Sequence, residues 1–170
     1  MKQTILRYGL YSGACAALLM ISTGLYYRSN PDFEYGAYFG YAGILLCMLF
    51  VYFGVRSYRE QVNGGVLSFG KGLQIGLLIA IISCVCYVLA WMVVYETIMP
   101  DFMDKYIQDT LTKMQESGAS SMEIEQKTKE MMQFKEMYKN PLTRFGLTFL
   151  EPFPVGLLVS LVSAAILRKR

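Results

Sequence analysis

Charged residues divide the chain into long apolar runs and one polar excursion. Gly9 to Tyr27 is 19 residues without a charge, Tyr35 to Val55 is 21 and Gly72 to Tyr95 is 24. A bilayer core about 30 Å thick takes about 20 apolar helical residues at 1.5 Å each, so each run is long enough to cross. A fourth run, Phe145 to Leu167, has 23 residues interrupted only by Glu151, and it stops against Arg168, Lys169 and Arg170. The pattern predicts an all-α protein, a four-helix transmembrane bundle with spans at about 9–27, 35–55, 72–98 and 141–167, in one integral membrane domain covering residues 1–170.

Between Met99 and Asn140 the pattern changes to six lysines, eight acids and scattered apolar residues. Pro100 and Asp101 read as a helix start, and Met103, Ile107, Leu111 and Met114 recur on one helical face. A turn at Gly118 follows. Ser120 with Glu123 forms a capping box for a second helix, whose apolar positions are Ile124, Met131, Phe134 and Tyr138. Asn140 and Pro141 have the chemistry of an N-cap and first residue of the last span. The expectation is a helical hairpin over 100–140, between the third and fourth spans. Six of the eleven methionines fall in it and a seventh, Met99, just precedes it. Methionine fills irregular cores and also makes adaptable contact surfaces, so the two arms are expected to zip together or to dock a partner.

Composition agrees with lipid as the solvent, at 54% apolar, 17% charged and a mean hydropathy of +0.35. Lys2, Arg7, Arg56, Arg59, Lys71, Arg168, Lys169 and Arg170 gather on the side that four crossings give to both termini. The opposite side has the short loop with Arg28, Asp32 and Glu34, and the polar excursion in which acids outnumber lysines. By the positive-inside rule both termini are cytoplasmic and the hairpin is extracytoplasmic. Seven residues separate Arg7 from Cys15, too few for a cleavable signal's apolar region, so the first span is read as a retained anchor. Cys15, Cys47, Cys84 and Cys86 all fall inside spans, where no disulfide framework is implied. There is no histidine, which removes the commonest general base and metal ligand. No enzyme, cofactor or metal is expected, nor any binding of nucleic acid.

Candidate functional residues are few. Small residues repeat at four in every span, and Gly9, Gly13, Gly36, Gly40, Gly72, Gly76, Gly156 and Ser160 are expected to let helices approach closely. They would serve packing within the bundle first and a homo-oligomer second. Glu151 is the one acid inside a span, close to its outer edge, followed by Pro152 and Pro154; the expectation is a helix kink with an interfacial acid that reaches water, and the alternative is an ion or proton site at the broken helix. Gly65 to Gly72 resembles a phosphate-cradling loop but lacks the final Ser or Thr and a preceding strand, so Asn63 and Gly64 are read as a turn and Ser68 as a helix cap. Arg56, Arg59 and Lys71 are expected at lipid headgroups.

The run Tyr52-Phe53-Gly54-Val55-Arg56-Ser57-Tyr58-Arg59-Glu60, then Asn63-Gly64-Gly65 and Leu67-Ser68-Phe69-Gly70-Lys71-Gly72-Leu73-Gln74-Ile75-Gly76-Leu77-Leu78-Ile79, resembles the family numbered four-one-nine-nine among the domains of unknown function. That resemblance implies a small bacterial integral membrane protein and no particular activity. The expectation is a non-enzymatic interaction or assembly protein of the bacterial inner membrane. Its partners would be the bilayer and an extracytoplasmic protein met through the hairpin. The alternative is a small oligomeric transporter or channel using Glu151 and the Pro-broken fourth span.

Overall fold

The computed structural model describes residues 1–30 and 35–169. Asp32, Glu34 and Arg170, counted above in the charge balance, lie outside the described residues. Helix α1 covers Lys2–Ser29 and α2 covers Gly36–Ser57, running on into a π-helical turn at Tyr58–Val62. Helix α3, Phe69–Val93, likewise continues as a π turn at Val94–Ile98. Two polar helices follow, α4 (Phe102–Glu116) and α5 (Ser121–Tyr138), then α6 (Pro141–Leu150) and α7 (Phe153–Leu167). Among the described residues four helical segments are long and apolar enough to cross a membrane: Lys2–Ser29, Tyr38–Val62, Phe69–Ile98 and Pro141–Leu167. Except at the start of the second and the end of the fourth, they reach past the charge-free limits drawn from the sequence, because a helix ends where its backbone is capped and not where the first charge appears.

The caps are those the sequence spells. Ser68 Oγ accepts from the Lys71 amide, which starts α3 at Phe69 and not at Gly72. Ser120 and Glu123 close a reciprocal box, and the hydrogen bond from the Ser120 amide holds the Glu123 carboxyl below its ordinary range. Asn140 Oδ1 accepts from Leu142 at 2.9 Å, with Pro141 in the first turn. Gly64 and Gly65 have φ of 62° and 83°, a left-handed turn that side chains resist. Asn63 Nδ2 closes that turn on the Val66 carbonyl at 2.7 Å. The loop then pairs with the end of α7 through a short antiparallel bridge, Leu67 N to Lys169 O at 2.8 Å and the reverse at 2.9 Å. The phosphate-loop look-alike is thereby occupied by the chain itself.

Helix α3 is the centre of the bundle, with α1 along one side, α7 along another and α2 closing against α1 and α7. A Cβ built on Gly13 would lie 2.6 Å from Cys86, one on Gly9 would lie 2.9 Å from Ile82, and one on Gly76 would lie 3.0 Å from Ser160. Gly156 is equally close to Ala80, at 2.9 Å. Ser12 joins the helices inside, donating to the Cys47 carbonyl at 2.7 Å and sharing a hydrogen bond with Ser83 at 2.7 Å. Such interhelical bonds contribute about 0.6 kcal/mol each in a membrane. Large apolar side chains point outward instead: Leu18, Leu45, Leu89 and Leu158 are all exposed, as lipid-facing positions should be.

The small-residue expectation needs one correction. Gly40 meets nothing within 4 Å. On α2 the close approach is made by Gly54, against Ile79 and Tyr8, which the repeat at Gly36 and Gly40 did not reveal. Gly13→Leu is therefore expected to lower thermal stability in detergent by about 1–3 kcal/mol through overpacking, whereas Gly40→Leu stays within about 0.5 kcal/mol of wild type. Thermal melts of the two purified variants followed by circular dichroism check this; equal losses would show that Gly40 also packs.

Candidate functional site

At the end of the bundle that carries α4 and α5, the fourth span is in two pieces. Pro152 has no amide to give and its ring opposes a continuing helix, so the chain turns at Glu151 and Pro152. Helix α7 restarts with Pro154 in its first turn and the Gly156 amide on the Pro152 carbonyl at 2.9 Å. Before the break, Arg144, Thr148 and Glu151 recur at the spacing of one helical face.

Arg144 is the least expected of the three. Its residue is only 3% exposed, and Nη2 forms an ion pair with Glu96 on the π turn after α3. The guanidinium carbon sits 4.2 Å from the centre of the Tyr95 ring, and Nε donates to Met92 Sδ at 3.3 Å. A cation in this setting is balanced by one carboxylate and a ring face. One turn along, Trp91 Nε1 donates to Tyr138 Oη at 2.7 Å, and Tyr138 Oη shares a hydrogen bond with Thr148 Oγ1 at 3.2 Å. Burial pushes the Tyr138 phenol above its ordinary value, so it stays protonated at neutral pH. Tyr138 closes α5 onto the bundle and stacks with Phe134 and edge-on with Tyr95.

Glu151 lies beyond this group. Its Oε2 accepts from Tyr87 Oη at 3.1 Å, and among the described residues it has no basic partner. It opens on a cavity of about 370 Å³ between α1, α2, α3, α4 and the α5–α6 junction. The walls are mainly rings, from Tyr27, Tyr87, Trp91, Phe102, Tyr106 and Tyr138, with Met20, Met99 and Thr148 between them. Gly36 and Gly40, expected at helix contacts by their spacing, both line this cavity, and Gly40 meets no neighbouring helix. A smaller space of about 60 Å³ shares Met20, Thr23, Gly40 and Tyr87 with it and runs inward past Ile44 and Met48 to Ser83.

The basic residues at the other end are placed differently from one another. Arg56 and Arg59 both pair with Glu60, at 3.0 and 2.9 Å, and Arg59 Nη1 also donates to the Leu167 carbonyl at the end of α7. Arg59 is thus occupied in tying two helix ends, while Arg56 and Lys71 stay at the surface. All four cysteines are free thiols.

The sequence pointed to Glu151 and its proline break but passed over Arg144, because a charge one residue before an apolar run reads as a boundary. The signal that could have found it is its spacing from Thr148 and Glu151, together with Glu96 at the end of the facing span. Glu96→Gln would leave Arg144 buried without a counter-charge. The expected loss is about 1–2 kcal/mol, below that for a fully enclosed pair because the Glu96 side chain is 61% exposed and screened by water. Melting curves of Glu96→Gln beside Glu96→Gln/Arg144→Leu check it, the double variant recovering part of the loss.

Neither the curated proteins nor the solved structures contain a match to the chain. Residues 7–169 do match a family described as protein of unknown function, DUF4199. That match takes in the basic loop, all four apolar helices and the cavity end alike, and the chain belongs to the DUF4199 family.

Proposed function

We propose that this is a multi-pass protein of the bacterial inner membrane that binds a small molecule without transforming it. Both termini face the cytoplasm and α4 and α5 stand on the extracytoplasmic side. The observation that carries the reading is the cavity of about 370 Å³ at the break in the fourth span, with Glu151 at its edge and α4 supplying part of its wall. Small-molecule sites commonly measure about 300–1,000 Å³ and combine apolar walls with a few placed polar groups. Discontinuous helices near such cavities are a recurrent device of transporters, and flux through the site is the natural extension of binding. The orientation is supported by Arg56, Arg59 and Lys71 at the opposite end.

Native mass spectrometry of the full chain, purified from its own membrane, tests the reading. Wild type is expected to carry a releasable small molecule that Gly40→Leu, whose side chain would project into the cavity, does not carry. Wild type and Gly40→Leu with identical spectra would overturn it.

A second reading, docking of another protein, is favoured by α5, where Met122, Met132 and Met137 are exposed while Met131 is buried. A membrane-impermeant amine crosslinker added to sealed spheroplasts is expected to join Lys127 and Lys129 to a second polypeptide, and Met122→Lys/Met132→Lys to remove the adduct. Labelling without an adduct would rule out docking; no labelling would reverse the orientation.

A further inference from the structure

We propose that the cavity selects an organic ammonium group carrying an apolar portion, an inference that rests on the binding reading above and names its ligand class.

The first argument is the balance of donors and acceptors. Several donors of the wall are spent on neighbours, Trp91 Nε1 on Tyr138, Tyr87 Oη on Glu151 and Thr23 Oγ1 on the Leu19 carbonyl at 2.9 Å, and behind the wall Arg144 is held by Glu96 and the Tyr95 face. An anionic ligand would meet few hydrogen-bond donors there and a carboxylate that repels it. Glu151 carries one hydrogen bond on Oε2, which leaves Oε1 able to accept from a cation. The second argument is the walls. Aromatic faces attract ammonium groups, quaternary ones included, through the ring quadrupole, most strongly where water is displaced. A hard metal ion would instead require about six oxygen ligands. Among the described residues no three Asp, Glu, Cys or His side chains gather to hold one. The third argument is shape. The ring-lined space shares Met20, Thr23, Gly40 and Tyr87 with the narrower one beside Ile44 and Met48, and that neighbouring apolar volume suits an alkyl chain attached to the charged group.

The same chemistry has two sources, a free amphiphilic amine or the headgroup of an aminophospholipid in the surrounding leaflet. Trp91 lies in the wall and is the only tryptophan of the chain, so its emission reports occupancy directly. The full chain in maltoside detergent is titrated with hexyltrimethylammonium, heptanol and heptanoate. In a second arm it is reconstituted in nanodiscs of phosphatidylglycerol with and without phosphatidylethanolamine. The expected result is a saturable Trp91 response to hexyltrimethylammonium, weakened about tenfold or more in Glu151→Gln and lost in Gly40→Leu. Heptanol should bind more weakly and heptanoate not at all. A response to phosphatidylethanolamine that prevents the hexyltrimethylammonium signal assigns the site to the lipid; no such competition assigns it to a free amine. Glu151→Gln keeps the size of the side chain and one acceptor oxygen while removing its charge, and circular dichroism confirms that each variant is folded. Equal affinity in Glu151→Gln, or equal response to heptanoate, overturns the ammonium assignment while leaving the cavity a binding site. Absence of any response overturns the assignment as well, and the mass spectra above decide separately whether the cavity holds another ligand.

Discussion

The bundle depends on the close approach of α3 to its neighbours. In lipid, leucines gain little by leaving the tails for another helix, so association is decided by dispersion at short range and by a few interhelical hydrogen bonds. The arrangement is reciprocal. Toward α1, helix α3 offers side chains, Ile82 and Cys86, which fill the places left by Gly9 and Gly13. Toward α7 it offers both, the spaces at Gly72 and Gly76, filled by Ala164 and Ser160, and Ala80, which fills the place left by Gly156. A helix that interlocks with two neighbours in this way is fixed in both rotation and register. Ser12 and Ser83 sit between the same helices with their polar atoms paired, so the interior holds no buried side-chain polar atom without a hydrogen bond among the described residues.

At the α4 end α1 still packs closely, Gly24 against Val94, but α2 does not, and the cavity lies on that side. Gly40 faces open space, and the prolines of the fourth span part α6 from α7. Rings too broad to interlock like Ala and Gly take over the walls, and α4 lies across them with Phe102 and Tyr106. Several polar groups there satisfy one another. Trp91, Tyr138 and Thr148 form a chain from α3 through α5 to α6, so the last residue of a helix outside the spans becomes part of the bundle.

Much of the fold was legible because its signals are local. Charge-free length marks a span, Ser68, Ser120 and Asn140 mark helix starts, and Pro152 marks a break; each acts within a few residues of itself. What could not be read depends on contacts between distant segments. The spacing of Gly36 and Gly40 matches that of Gly9 and Gly13, and only the placement of neighbouring helices makes one pair a wall and the other a seam. Arg59 reads as one more basic residue of a cytoplasmic loop, yet it reaches a carbonyl 108 positions away. Lys169 and Leu67 carry no pairing signal at all, being joined through backbone groups that every residue has. Glu151 was found because a charge inside an apolar run is conspicuous, and Arg144 was missed because a charge at the edge of one is ordinary.

The two acids at this end show why position outweighs composition. Glu151 caps α6 seven residues after Arg144, about 10 Å along the axis, whereas Glu96 comes from the facing π turn at the level of the guanidinium. Tyr95 and Met92 hold the guanidinium at that level, so it is fully spent on Glu96. Glu151 is left with a single phenol hydrogen bond beside an apolar volume. A charge at the edge of an apolar bundle is costly unless water or a counter-charge meets it, and among the described residues no basic side chain meets this one.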